Sequence, residues 1–173
     1  TVDAVLNAEK TQSVDSPTSI GFDEFTFQYP LSQVQNLKRI SLNVPKGHTL
    51  GIVGKTGAGK TTFIRQLLRQ YPIGEGEITI GGVNLSQLPK EEVLDWIGYV
   101  PQDHVLFSRS IRDNIKFGKE DASEEDIREA IRLAYFEKDL EILPQGIETM
   151  VGEKGVSLSG GQKQRVSIAR ALI

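Results

Sequence analysis

The chain has 173 residues, 38% hydrophobic and 25% charged, which is typical of one globular domain with an ordinary core. Its 20 Lys and Arg against 23 Asp and Glu give a net charge of −3, so no basic surface for nucleic acid is expected. The absence of cysteine excludes disulfides and thiolate metal sites.

The first residues differ in composition from the rest. Val2, Val5 and Leu6 have a short helical spacing, and residues 13–19 are rich in Ser, Asp, Pro and Thr, as in a linker. Residues 1–19 are therefore expected to be a linker or an ordinary frayed terminus. Because the sequence begins with Thr1 and stops inside a helical pattern, it is expected to be an internal piece of a longer polypeptide.

The next segments predict strands and a helix. Alternating apolar residues at 25–29 and 40–44 predict two strands, and an unbroken apolar run at 49–53 predicts a strand buried on both faces. Apolar residues at helical spacing over 63–71 predict a helix. The expected order is strand, glycine-rich loop, helix.

The second half predicts a hairpin, one more strand and two helices. A hairpin is expected at 78–85 and a buried strand at 96–100. Ser123 is expected to cap one helix, and another is expected to start near Ser159. The residues expected to face inward on these helices are Ile127, Ala130, Ile131, Ala134, Val166, Ala169 and Leu172.

Residues 54–61 read GKTGAGKT and fit the phosphate-loop pattern G-x-x-x-x-G-K-[ST]. Glycines let successive backbone N–H groups close around phosphate oxygens, and the following helix adds its positive end. Lys60 is expected at the β- and γ-phosphates of ATP, and the Thr61 hydroxyl on Mg²⁺. The alternative, a glycine turn before a helix, is disfavoured by the strand and helix expected on either side. The nucleotide-binding residues predicted here are Gly54, Lys55, Thr56, Gly57, Ala58, Gly59, Lys60, Thr61 and Thr62.

Residues 158–162, LSGGQ, followed by KQR, form a second anion-binding pattern. A serine and two glycines at a helix N-terminus suit an anion, although such a triplet alone is more often a helix cap. Together with the phosphate loop, this signature segment (158–162) resembles that of the ABC ATPases. The resemblance implies that Ser159, Gly160, Gly161 and Gln162 face the γ-phosphate of ATP held by a second nucleotide-binding domain.

Two further positions match the family's pattern. Tyr29 matches the aromatic residue that stacks on adenine; otherwise it is a surface aromatic of a strand. Gln102 matches the glutamine that links Mg²⁺ and the attacking water to the transport domain. The resemblance thus assigns Lys60 and Gln102 to catalysis, and Thr61 and Gln102 to the metal.

Segments 106–115 and 149–155 resemble those of ABC exporters, although Met150 stands where an acidic or small residue is usual. The resemblance implies an α/β fold: a P-loop NTPase core with an antiparallel β subdomain and an α-helical signature subdomain (about 103–165). Residues 20–173 would be the N-terminal portion of the ATPase domain, with the C-terminal part of the core missing. Residues 1–19, including a connector at 2–9, would link it to a preceding transmembrane domain.

The function implied by this resemblance is ATP-driven export at the cytoplasmic face of the cell membrane, with no role for nucleic acid. The partners would be a second nucleotide-binding domain and the intracellular loops of the transmembrane domain. The metal-binding aspartate, the hydrolytic carboxylate and the switch histidine would follow Ile173. Two alternatives stay open: a hydrolysis-poor half of a heterodimeric exporter, and a soluble non-transport ABC ATPase. A P-loop kinase is disfavoured because it does not need the signature segment.

Overall fold

The computed structural model describes residue 14 and residues 16–153 and 155–173. The connector predicted at 2–9, and most of the linker predicted at 1–19, lie outside these residues. The chain divides into two compact units, residues 1–97 and 98–173.

The first unit contains an antiparallel sheet. Its strands are β1 (Ser19–Phe27), β2 (Leu37–Pro45), β3 (Glu75–Ile80) and β4 (Val83–Asn84), in the spatial order β2-β1-β3-β4. β3 and β4 form the predicted hairpin, with Gly81 and Gly82 at positive φ in its turn. The predicted antiparallel β region is therefore confirmed.

β1 contains an irregularity that determines which side chains reach the core. The register with β2 shifts between Phe22 and Phe25, and Glu24 between them has a φ of 45°. Phe22 and Phe25 are consequently both buried although they are three residues apart. The ring of Phe63 stacks on that of Phe22, with centroids 4.4 Å apart.

Two helices complete the first unit, α1 (Lys60–Leu67) and α2 (Lys90–Asp95), together with a 3₁₀ turn at Leu85–Gln87. α1 buries Phe63 and Leu67 in the same core as the sheet. The helix predicted at 63–71 is thus present but ends earlier, because Arg69 adopts a left-handed φ of 48°.

The buried strands predicted at 49–53 and 96–100 are wrong for this structure. Neither segment belongs to a strand, and Val53 is 93% exposed. An apolar run becomes a strand only when a neighbour completes its backbone ladder, and none of the described residues pairs with either segment. Both runs are apolar in composition, but composition does not specify a pairing partner.

The second unit is helical. It contains α3 (Ile111–Lys116), α4 (Glu124–Leu133), α5 (Glu137–Glu141), a 3₁₀ turn at Gly146–Glu148, and α6 (Gly160–Leu172). Ser123 caps α4 as predicted, in a capping box with Asp126. The residues predicted to face inward are buried, except Leu172, which is 50% exposed because it lies in the last turn of α6.

Candidate functional site

The phosphate loop is a tight turn that depends on glycine. Gly57 and Gly59 have φ of 82° and 92°, and Ala58 N–H donates to the Lys55 carbonyl at 3.1 Å. A Cβ on Gly59 would lie 2.6 Å from the Asn36 carbonyl oxygen. Gly59 therefore satisfies both a left-handed backbone and a close approach to the segment before β2.

Lys60 opens α1 and places its ammonium over the loop. Its Nζ donates to the carbonyl oxygens of Gly54 at 2.7 Å and Lys55 at 2.9 Å. An ammonium has three N–H donors, so one donor and the positive charge remain for an anion. The N-terminus of α1 has no side-chain cap and no acidic residue in its first turn, and Thr61 beside Lys60 is exposed. These features suit a phosphate chain.

Tyr29 lies two residues beyond β1 and is held on several sides. Its hydroxyl donates to Thr62 Oγ1 at 3.1 Å, and its backbone N–H donates to Asn36 Oδ1 at 3.1 Å. Its ring contacts those of Phe27 and Tyr71 edge to face, at centroid distances of 5.0 and 4.8 Å. Tyr29 is therefore joined to the helix that follows the phosphate loop.

The signature segment caps α6. Ser159 Oγ accepts from Gln162 N–H at 3.3 Å, and Gln162 Oε1 accepts from Ser159 N–H at 2.9 Å. This reciprocal pair is a capping box, so the helix-cap role is present. Leu158 is buried, while Ser159 and the two glycines are exposed.

Gly160 and Gly161 face open space. A Cβ on Gly160 would meet nothing within 4 Å, and one on Gly161 only Arg165 Nη1 at 3.9 Å. Neither glycine has a left-handed φ. Nothing in the described part of the chain therefore requires glycine at these two positions, and the backbone there is open to contact.

Asp139 supports the signature segment from α5, and sequence reasoning missed it. Its carboxylate accepts from Gln162 Nε2 at 3.2 Å and pairs with Arg165 Nη1 at 3.0 Å. Asp139 is mostly buried, with 17% of its side chain exposed. Asp139 precedes its partners by more than twenty residues, and no sequence pattern links them.

Gln102 is exposed and shares a cavity of about 530 Å³ with the start of α6. The cavity is also lined by His104, Gly152, Gly160 and Lys163. The structure therefore brings Gln102 and the signature segment, both in the second unit, to one cavity. Lys60, Thr61, Thr62 and Tyr29 lie in the first unit.

The two exporter-like segments are bonded to each other. Ile111 N–H donates to the Thr149 carbonyl at 3.1 Å, and Val151 N–H donates to the Arg109 carbonyl at 2.9 Å. Arg112 pairs with Glu124 and Glu148, and these hydrogen bonds raise the pKa of its guanidinium. The segments predicted separately from sequence thus form one structure.

Within residue 14, residues 16–153 and residues 155–173, no group of three or more His, Cys, Asp or Glu side chains is placed to hold a metal ion. In the same residues, no helix combines the length and the apolar character needed to cross a bilayer.

Comparison with known proteins identifies relatives across almost the whole chain. Residues 37–173 match the family model described as ABC transporter. The chain is 57% identical over 169 residues to a Bacillus subtilis (strain 168) protein, YheI, described as a probable multidrug resistance ABC transporter ATP-binding/permease protein. It is 48% identical over 147 residues to the multidrug resistance-like ATP-binding protein MdlA of Buchnera aphidicola.

A solved structure with a similar fold is described as a bacterial Atm1-family ABC exporter with ATP bound. Its TM-score is 0.86 at 39% identity, and the match covers 95% of this chain and 29% of that one. The alignments with YheI and MdlA cover 98% and 85% of this chain, but 29% and 25% of those proteins. The chain therefore spans less than a third of the length of these relatives.

The expected fold class is confirmed: an α/β fold similar to that of an ABC exporter, with an antiparallel sheet followed by helices. The extent of the family match, together with the phosphate loop and the glycines that open α6, leads to one conclusion: the chain belongs to the ABC transporter family.

Proposed function

We propose that this chain is the ATP-binding part of a membrane exporter, and that the full-length protein hydrolyses ATP to drive transport. The observation that carries the proposal is the phosphate loop. Lys60 keeps one N–H donor for a phosphate, and α1 begins without a side-chain cap. The ATP-bound exporter with the same fold supports the same ligand.

The nucleotide contacts proposed for the first unit extend from the phosphate loop to Tyr29. Backbone N–H groups of residues 54–62 bind phosphate oxygens, Lys60 offsets their charge, and the Tyr29 ring stacks on adenine. Tyr29 is suited to stacking because its hydroxyl and backbone N–H are both engaged, which limits rotation of the ring. A stacked base is recognised with little preference among purines.

The signature segment is proposed to bind the γ-phosphate of ATP held by a second nucleotide-binding domain. Ser159 is exposed, and the open space at Gly160 permits another chain to approach the backbone. Two domains related head to tail would then enclose each nucleotide between the phosphate loop of one and the signature segment of the other. ATP binding would close the pair, and hydrolysis would reopen it.

Thr61 and Gln102 are each proposed as a Mg²⁺ ligand, Thr61 in the first unit and Gln102 in the second. Both are exposed and carry oxygen donors, the ligand type that Mg²⁺ prefers. When bound, the ion would neutralise charge on the phosphate oxygens during transfer. Gln102 would orient the attacking water.

Residues 20–173 are proposed as the N-terminal portion of the ATPase domain, with a helical subdomain at about 103–165. Residues 1–19 are proposed as the linker that precedes this domain. The relatives described as ATP-binding/permease proteins support a transmembrane domain in the same polypeptide. The bonded segments 106–115 and 149–155 would contact its intracellular loops on the cytoplasmic face. These relatives disfavour a soluble non-transport ATPase.

The experiment that tests the proposal measures ATP binding to the full-length protein by titration calorimetry. Lys60→Ala should weaken binding by about 1.5–3 kcal/mol, or roughly 10- to 150-fold. Lys46→Ala is the matched control, because Lys46 is an exposed lysine whose Nζ contacts Ser16 in the first unit. Equal ATP affinity for Lys60→Ala and the wild type would refute the proposal.

A further inference from the structure

The C-terminal end of α6 is hydrogen-bonded to the segment that follows Gln102. Arg170 Nε donates to the Asn114 carbonyl at 2.7 Å, and its Nη1 donates to the Val105 carbonyl at 3.2 Å. Its Nη2 donates to Asn114 Oδ1 at 3.0 Å. One guanidinium therefore joins α6 to α3 and to the loop at Val105.

The same guanidinium lies against two aromatic rings. Its central carbon is 5.5 Å from the centroid of Phe107 and 6.0 Å from that of Phe117, and the two rings are 4.7 Å apart. Among the described residues, Arg170 has no carboxylate partner within ion-pair distance. Carbonyl oxygens and ring faces therefore balance its charge. Arginine suits these surroundings better than lysine, because its planar guanidinium bonds several carbonyls and lies flat against rings.

Asn114 joins Arg170 to the loop between Val105 and Ser110 by hydrogen bonds. It is fully buried, its Nδ2 donates to the carbonyls of Phe107 and Ser110 at 3.0 Å each, and its Oδ1 accepts from Phe107 N–H at 2.9 Å. Arg170 completes the hydrogen bonding of the same Oδ1. One buried amide and one arginine therefore both bond to the backbone between Val105 and Ser110.

α6 is one continuous helix of 13 residues, about 20 Å long, with Ser159 at one end and Arg170 at the other. Gln102 lies three positions before Val105, whose carbonyl accepts a hydrogen bond from Arg170. Gln102 and Gly160, at the start of α6, line the same cavity. The N-terminal end of α6 thus shares a cavity with Gln102. Its C-terminal end is bonded through Arg170 to the carbonyl of Val105, three residues after Gln102.

We propose that Arg170 is a positioning residue that orients Gln102 by holding the Val105–Phe107 segment to α6, the helix that begins at the signature segment. The inference rests on the proposed function, because it assigns Gln102 a role in hydrolysis. Loss of the arginine should leave the nucleotide contacts of the first unit intact. It should slow hydrolysis without weakening ATP binding.

The test compares ATP hydrolysis by the full-length wild type with that by Arg170→Met and the milder Arg170→Lys. We expect kcat to fall by roughly 3- to 30-fold for Arg170→Met and less for Arg170→Lys, since networks of this kind modulate function by that order. KM for ATP should change less than about twofold, because uniform binding is untouched. Arg128→Lys is the matched control, as Arg128 is an exposed arginine of the same unit paired with Glu125.

A double-mutant cycle with Gln102→Ala distinguishes positioning from a purely structural role. If Arg170 acts through Gln102, Arg170→Lys should have little further effect on kcat once Gln102 is alanine. Additive effects, or an unchanged kcat in Arg170→Met, would overturn the inference while leaving the proposed function intact. A wild type that does not hydrolyse ATP would instead refute the proposed function and this inference with it.

Discussion

The hydroxyl of Tyr29 donates a hydrogen bond to Thr62 Oγ1, 3.1 Å away. Tyr29 is the aromatic residue expected at adenine, and Thr62 is in the first turn of the helix that follows the phosphate loop. The contacts proposed for the base and for the phosphates are thus physically joined within the first unit.

Removal of the hydroxyl alone should have a small effect. Tyr29→Phe should weaken ATP binding by about 0.5–1.5 kcal/mol, or roughly 2- to 13-fold, because the ring remains while its hydrogen bond is lost. Tyr29→Ala should cost about 1–3 kcal/mol because stacking is lost as well. Titration calorimetry checks both values. Tripolyphosphate, which has no base, is the control ligand: it should bind Tyr29→Ala and Tyr29→Phe equally, and a larger loss in Tyr29→Ala would contradict the assignment to adenine.

Gly59→Ala should abolish ATP binding. The substitution requires alanine at a φ of 92°, which costs about 1–2 kcal/mol. It also puts a Cβ 2.6 Å from the Asn36 carbonyl, so the loop has to shift. Gly47→Ala is the matched control, because Gly47 has a φ of 82° but no atom within 4 Å of the added Cβ. Calorimetry showing ATP binding by Gly59→Ala with wild-type affinity would contradict the loop geometry.

Gly160→Ala should separate folding from domain association. The added Cβ meets nothing within 4 Å in the chain, and alanine favours helix, so the apparent Tm should not fall. Overpacking against an approaching chain should weaken ATP-driven association by about 1–3 kcal/mol, and hydrolysis with it. Pulsed EPR distances between the two domains measure closure, and ATP binding without Mg²⁺ serves as the control. Wild-type closure in this variant would exclude close contact at Gly160.

Gln66→Leu should stabilise α1. Gln66 is fully buried, and neither its Nε2 nor its Oε1 has a hydrogen-bond partner in the part of the chain that the structure describes. An unsatisfied buried polar group costs about 1–3 kcal/mol, so its removal should slow amide exchange in α1 by roughly 5- to 150-fold. Hydrogen–deuterium exchange measures this protection. Gln70→Leu, an exposed position nearby, is the control, and faster exchange in Gln66→Leu would disprove the explanation.

Local signals allowed the caps and the hairpin to be predicted. Ser123 and Ser159 each start a helix, because a serine followed three residues later by an acceptor side chain satisfies the first backbone N–H groups. The glycines at 81 and 82 mark the β-turn in the same way. In these cases the residues that determine the structure are neighbours in the sequence.

Features that depend on distant residues were missed. The runs at 49–53 and 96–100 are apolar, yet their composition does not specify a pairing partner, and neither is a strand. Two hydrogen bonds were also not predicted, those of Asp139 with Gln162 and of Arg170 with Asn114. Each of these contacts joins residues more than twenty positions apart, and only the folded chain brings them together.

A structure of the full-length protein with a bound, non-hydrolysed ATP analogue would show whether two domains share one nucleotide. Lys60 of one domain and Ser159 of a second domain should contact the γ-phosphate of the same nucleotide. A phosphate chain bound away from Lys60, or a Ser159 that faces only its own domain, would contradict it.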